Sequence, residues 1–166
     1  MNTKKKTTEE SKTEKSTALK KWIPIKNELS DKWILNEETQ RKRPISKGAI
    51  MICELGENIG SEQNKKRPVL VVSNQYINQG NTVIVVPLST KLKTKTNKNG
   101  KIVPRYLSHY FLKQENYPFL KSDSAVKCEN IRTISKVRLT DYLGLISDDD
   151  YKKIESRIKN IFDFQK

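Results

Sequence analysis

The apolar positions along the chain change period twice. The first sixteen residues, MNTKKKTTEESKTEKS, hold no large apolar side chain and cannot offset the entropy of ordering them. A disordered basic tail is therefore expected over 1–21. From Trp22 the pattern becomes helical: Pro24 suits a first helical position, and Ile25, Leu29 and Trp33 recur every fourth residue. This predicts a short amphipathic helix to about Glu38. Pro44 disfavours helix just before it, so Arg41-Lys42-Arg43-Pro44 reads as a linker, giving an accessory helix and linker over 22–46.

From Lys47 the period shortens. Ala49-Ile50-Met51-Ile52-Cys53, Pro68-Val69-Leu70-Val71-Val72 and Thr82-Val83-Ile84-Val85-Val86-Pro87-Leu88 are apolar runs separated by Gly, Asn, Ser and Gln clusters, the pattern of buried strands in a small β core. Asn78-Gln79-Gly80-Asn81 reads as a hairpin turn, because Gly and Asn tolerate positive φ. Weaker strands are expected near Ile102–Leu107, Ser124–Lys127, Ile131–Ser135 and Arg138–Leu143. Helical spacing returns at the end. Ser147 followed by Asp150 resembles a capping box, and Tyr151, Ile154, Ile158, Ile161 and Phe162 fall on one stripe with Lys152, Lys153, Glu155 and Lys159 opposite.

Composition narrows the class. The chain has 166 residues with 33 Lys plus Arg against 19 Asp plus Glu, a formal net charge of +14, which fits one modest domain with polar appendages. No apolar run is long enough to span a membrane, and the N-terminus lacks the apolar segment of a secretory signal. Cys53 and Cys128 have no neighbouring Cys or His, so neither a disulfide framework nor a zinc site is expected, and a reduced, cytoplasmic protein is. Lys91 to Arg105 carries six positive charges and no acidic residue, which fits a solvated loop or a polyanion contact equally.

Several blocks in register carry a resemblance. Gly60-Ser61-Glu62-Gln63, Arg67-Pro68-Val69-Leu70-Val71-Val72-Ser73-Asn74, Val85-Val86-Pro87-Leu88-Ser89-Thr90, Asp123-Ser124, Glu129-Asn130-Ile131-Arg132-Thr133-Ile134 and Arg138-Leu139-Thr140-Asp141 resemble the MazF/PemK toxin endoribonucleases over about Lys47 to Phe164. The resemblance implies an SH3-like barrel of antiparallel strands with a C-terminal helix, to which this chain adds an N-terminal helix. It also implies a homodimer, a cognate antitoxin, operator DNA reached through the antitoxin complex, and metal-independent cleavage of single-stranded RNA with no cofactor. The family's functional arginine falls on Arg67 and its hydroxyl residue on Ser89, with Thr90 next to it as the alternative donor. Asn130 stands where the family often has Gln, and Lys127 where apolar residues are common.

The chemistry agrees with those residue types. RNA supplies its own nucleophile, the 2′-hydroxyl, so a ribonuclease needs no serine nucleophile and no metal-bound water. It needs an in-line strand, donors on the phosphorane oxygens and a route for protons. The planar fork of Arg67 can hold phosphate oxygens, and its high pKa makes it a charge stabiliser rather than an acid. Ser89 or Thr90 would donate to the phosphate, while water or Glu62 would move the proton. Glu62 and Gln63 either close a turn or shape the RNA groove, and Arg132 reads as a structural arginine. Lys91, Lys93 and Lys95 are candidates for phosphate contacts that position the strand without reading it. The aromatic stretch Tyr106, Tyr110, Phe111, Tyr117 and Phe119 is either core or a base-stacking surface, and His109, the one histidine, reads as a loop residue.

Two rivals remain at this level. The same barrel serves a toxin that binds DNA gyrase without nuclease activity, and a basic loop alone suits a nucleic-acid-binding module that does not cut. For the N-terminal stripe, docking in cis, thickening a dimer interface and occupying an antitoxin groove are all open.

Overall fold

The computed structural model describes residues 7–163; the first six residues of the expected tail and Phe164 to Lys166 lie outside the described residues. The order is α1 (Thr8–Lys42), β1 (Ala49–Glu54), β2 (Lys66–Val71), α2 (Gln75–Asn78), β3 (Thr82–Ser89), β4 (Thr94–Thr96), β5 (Ile102–Pro104), β6 (His109–Leu112), β7 (Ser124–Lys127), β8 (Arg132–Ser135), β9 (Leu139–Leu145) and α3 (Asp148–Ile161). The main sheet runs β6-β7-β3-β2-β1-β9, with β8 also pairing β3. Every pairing in it is antiparallel.

Strand alternation explains the apolar runs. Met51, Cys53, Val69, Val71, Val83, Val85, Ile134 and Leu139 form one buried cluster. Ile50, Leu70, Val86, Leu88, Val126, Cys128 and Ile154 form a second. Successive residues of β1, β2 and β3 thus supply opposite clusters, so both faces are buried and the strands read as continuous rather than alternating runs. This is the SH3-like arrangement expected from the sequence.

The helix α3 covers the second cluster through Ile154, with Tyr151 and Ile158 beside it. Ser147 caps it by accepting from the Asp150 amide at 3.2 Å. Asp150 ties it to the aromatic stretch, accepting from the hydroxyls of Tyr110 and, at 2.5 Å, Tyr117. Burial pushes the Asp150 carboxyl up, but these hydroxyls together with Lys153 hold the group below its ordinary value. Most of the aromatic stretch is therefore core. Phe119 lies so close to Gly144 that a Cβ there would meet its ring at 2.4 Å, which fixes a glycine in β9.

Four expectations need correction. The helix α1 starts at Thr8, not Pro24, and takes in most of the expected tail. Thr7 and Glu10 form a reciprocal capping box, Lys12 pairs with Glu9 at 2.8 Å, and Lys15 and Trp22 dock on the barrel, which together offset the ordering cost. Pro24 sits inside this helix, and the residue that leaves helical values is Asn36 (φ −134, ψ 26). The β2–β3 connection is the short helix α2 with Asn74 as its cap, and Gly80 needs no positive φ. The basic block is a hairpin, β4 with β5, rather than a plain loop. His109 opens β6 at 3% exposure, its Nε2 2.8 Å from the Glu129 carboxylate.

The thiols give a first prediction. Burial pushes both Cys53 and Cys128 up to about 12 from an ordinary 9.0, so thiolate is negligible near neutrality. Neither should react with Ellman's reagent at pH 8 in the native protein, and both should react in denaturant. Fast native labelling of either would contradict the packing described.

Candidate active site

The register of β2 with β3 places the chemistry. The antiparallel pairing of β2 with β3, in which Val69 faces Pro87, puts Arg67, near the start of β2, at the same end of the sheet as Ser89, the last residue of β3. On its other side Arg67 pairs with Cys53 of β1. Arg67 is half-buried, and that burial lowers its guanidinium below its ordinary value. An arginine still carries its proton throughout the neutral range.

The guanidinium is held by the loop that precedes it. Its Nε donates to the Asn64 carbonyl at 2.7 Å, and its Nη1 donates to the side-chain oxygen of Gln63. The side chain of the loop that reaches Arg67 is thus that of Gln63. Two of the three nitrogens are thereby engaged in orientation, and Nη2 is the one not used in these two bonds.

Glu62 is exposed and shares a small recess of about 270 Å³ with Gln63, Asn130, Ile131 and Arg132. Arg132, expected to be structural, is half-buried on β8 and forms one wall of that recess. Asn64 escaped the sequence reading because it acts through its backbone carbonyl, which no side-chain pattern reports.

The hydroxyl of Ser89 accepts from the Lys91 amide at 3.2 Å, which fixes the oxygen and leaves its proton to donate. Thr90 follows at an exposed position, its carbonyl accepting from Leu92 at 3.1 Å. Lys91, Lys93 and Lys95 are exposed and lead from Ser89 onto the β4–β5 hairpin. The hairpin base is closed by the Arg105 amide donating to the Lys93 carbonyl at 2.8 Å. The structure thus brings Gln63, Arg67 and Ser89 to one end of β2 and β3, with the lysines on the segment that leaves it.

Among the described residues, no three His, Cys, Asp or Glu side chains gather as a metal site, and no helix is long and apolar enough to cross a membrane.

Comparisons with known proteins bear on this arrangement. Endoribonuclease EndoA of Bacillus subtilis (strain 168) is 29% identical over 115 residues, covering 69% of this chain and 91% of that protein. Among solved structures, MazF from Deinococcus radiodurans matches with a TM-score of 0.55 at 15% identity, over 74% of this chain and 99% of that one. A mycobacterial endoribonuclease solved with its cognate antitoxin matches at 0.54 and 21%, over 74% and 99%. The Mycobacterium tuberculosis toxin MazF-mt6 matches at 0.53 and 22%, over 71% and 99%. At these identities the solved structures speak for the fold alone. The family model of PemK-like, MazF-like toxins matches residues 46–162, and with that span covering the whole barrel and α3, this chain belongs to the PemK-like, MazF-like toxin family of type II toxin–antitoxin systems.

Proposed function

We propose that the chain is a toxin that cuts single-stranded RNA, chiefly mRNA, at a short sequence motif without a metal ion. The observation that carries the reading is that Arg67 and Ser89 lie at the same end of the antiparallel β2–β3 pair, with the fork of Arg67 already oriented by Gln63 and Asn64. The 2′-hydroxyl attacks the adjacent phosphorus while the bond to the 5′-oxygen breaks. One proton leaves the 2′-oxygen to water or Glu62, and water delivers one to the departing 5′-oxygen. The products carry a 2′,3′-cyclic phosphate and a 5′-hydroxyl.

The positive charge of Arg67 opposes the charge that grows on the phosphorane oxygens, and the Ser89 hydroxyl donates to the same group. Lys91, Lys93 and Lys95 hold the flanking phosphates, which adds affinity without sequence information. The endoribonuclease among the relatives supports the reaction class, and the mycobacterial enzyme solved with its antitoxin supports a protein inhibitor for this chain too. A homodimer working in the cytoplasm completes the proposal.

The test is a long, defined single-stranded RNA incubated with the antitoxin-free protein and excess EDTA, the product ends mapped and chemically typed. Cuts at one recurring motif with cyclic-phosphate ends are expected. Uncut RNA with folded protein would overturn the reading and turn attention to a protein target such as gyrase.

A further inference from the structure

The helix α1 precedes the family domain, yet half of its ties run to the loop that orients Arg67. That loop, residues 55–65, is closed at its base by the Leu55 amide donating to the Lys65 carbonyl at 3.3 Å and the Lys65 amide to the Gly56 carbonyl at 2.7 Å. Inside it, the side-chain amide of Asn58 donates to the Gln63 carbonyl at 2.6 Å, bracing one arm against the other.

Two residues of α1 grip the first arm. Lys15 donates to the Asn58 carbonyl and pairs with Glu57 at 2.7 Å, the Glu57 side chain being only 8% exposed. Trp22 lies flat on Gly56, where φ is +83 and a Cβ would come within 2.6 Å of the indole. The Arg138 guanidinium stands 5.7 Å from the Trp22 ring centroid and donates to the Glu54 carbonyl at 3.1 Å. A continuous path therefore runs from Lys15 to Asn58, to Gln63, to Arg67.

We propose that α1 is a positioning element for Arg67, acting through Lys15 and Asn58; this deepens the proposed ribonuclease reading and rests on it. The tip of the loop has little else to hold it. Ile59 at its tip is 82% exposed, and Gly60 has open space on its side-chain face. A surface loop with few buried apolar contacts opens at low free-energy cost unless it is tethered. A phosphate-binding arginine must be held to within about 0.5 Å to be productive, so loosening the loop lowers rate before it lowers stability. The Lys15–Glu57 pair is suited to the task because removing the lysine strands a carboxylate that is out of water. Further ties, made by Glu37 and Arg41 of α1 and by Arg43 just after it, lie at the other end of the helix and anchor it independently of the loop.

The test uses the full chain with Lys15→Ala, Lys15→Arg, Asn58→Ala and the Lys15→Ala/Asn58→Ala double variant. Lys15→Ala is expected to lower kcat for RNA cleavage about tenfold with KM within about twofold, and Lys15→Arg to restore it. The thermal midpoint should move by no more than about 2 °C, because a loop released from α1 opens locally and returns the Glu57 carboxylate to water without unfolding the barrel. The double variant should be no slower than the worse single, as members of one path are not additive. Amide exchange over 56–64 should quicken in Lys15→Ala. An unchanged kcat in Lys15→Ala, or additive losses in the double variant, would overturn the proposal. If the wild type cuts no RNA, the ribonuclease reading falls instead, and exchange decides alone: unchanged protection over 56–64 in Lys15→Ala overturns the path.

Discussion

Cleavage of a single-stranded RNA is expected to fall by about a thousandfold in kcat when Arg67 becomes alanine, with binding of uncut RNA changed by less than about fivefold. The split follows from where the charges sit. Lys91, Lys93 and Lys95 are exposed on a segment that leaves the site, so they attract phosphates whether or not Arg67 is present. Arg67 alone is fixed by two bonds to the preceding loop, and a fixed donor counts most where charge develops during reaction.

Lysine at position 67 should recover no more than about a tenth of the lost rate, because it keeps the charge but cannot make both orienting bonds. Ser89→Ala is expected to cost about tenfold, the scale of one hydrogen bond to a charged group. Were Thr90 the donor, Thr90→Ala would carry that loss and Ser89→Ala would not. Single-turnover cleavage beside equilibrium binding of an RNA with its 2′-hydroxyls removed separates the two quantities. A parallel fall in rate and binding for Arg67→Ala would recast that residue as a substrate anchor.

The legible parts of the fold were those where one local rule decides. The three central strands are apolar on both faces because two separate clusters bury them, and α3 announces itself by Ser147 and its apolar stripe. The start of α1 was missed although Thr7 and Glu10 carry a capping signature, because the helix is polar nearly all round. What makes it worth ordering is remote: Glu57, Gly56 and Arg138 lie in other elements. His109 was misplaced for a similar reason, since its burial depends on Glu129, twenty residues away. At the site, Arg67 and Ser89 came from the resemblance. Composition and periodicity could not distinguish that arginine from any strand-edge arginine. Asn64 and Asn58 act by a carbonyl and a cross-loop bond, and neither leaves a pattern in sequence.

The second large effect concerns how α1 is fastened at its C-terminal end. Lys136 is fully buried, and its ammonium donates to the Arg41 carbonyl at 2.7 Å and the Arg43 carbonyl at 3.0 Å. Arg43 in turn donates to the carbonyls of Leu139 and Thr140, both at 2.7 Å. Burial, and then the Arg43 charge, lower the Lys136 pKa, so the ammonium is costly there and tolerable only because two helix-end carbonyls point at it. Lys136→Met keeps most of the stem volume and removes the donor, leaving two partly buried carbonyls without that partner. A loss of about 2–3 kcal/mol in urea unfolding is expected, with faster amide exchange at the end of α1. In a chain lacking residues 1–44 the same lysine would stand in water with no carbonyls to satisfy. There Lys136→Met should be neutral to within about 0.5 kcal/mol. Equal losses in the two backgrounds would show that Lys136 supports the barrel itself rather than the docking of α1.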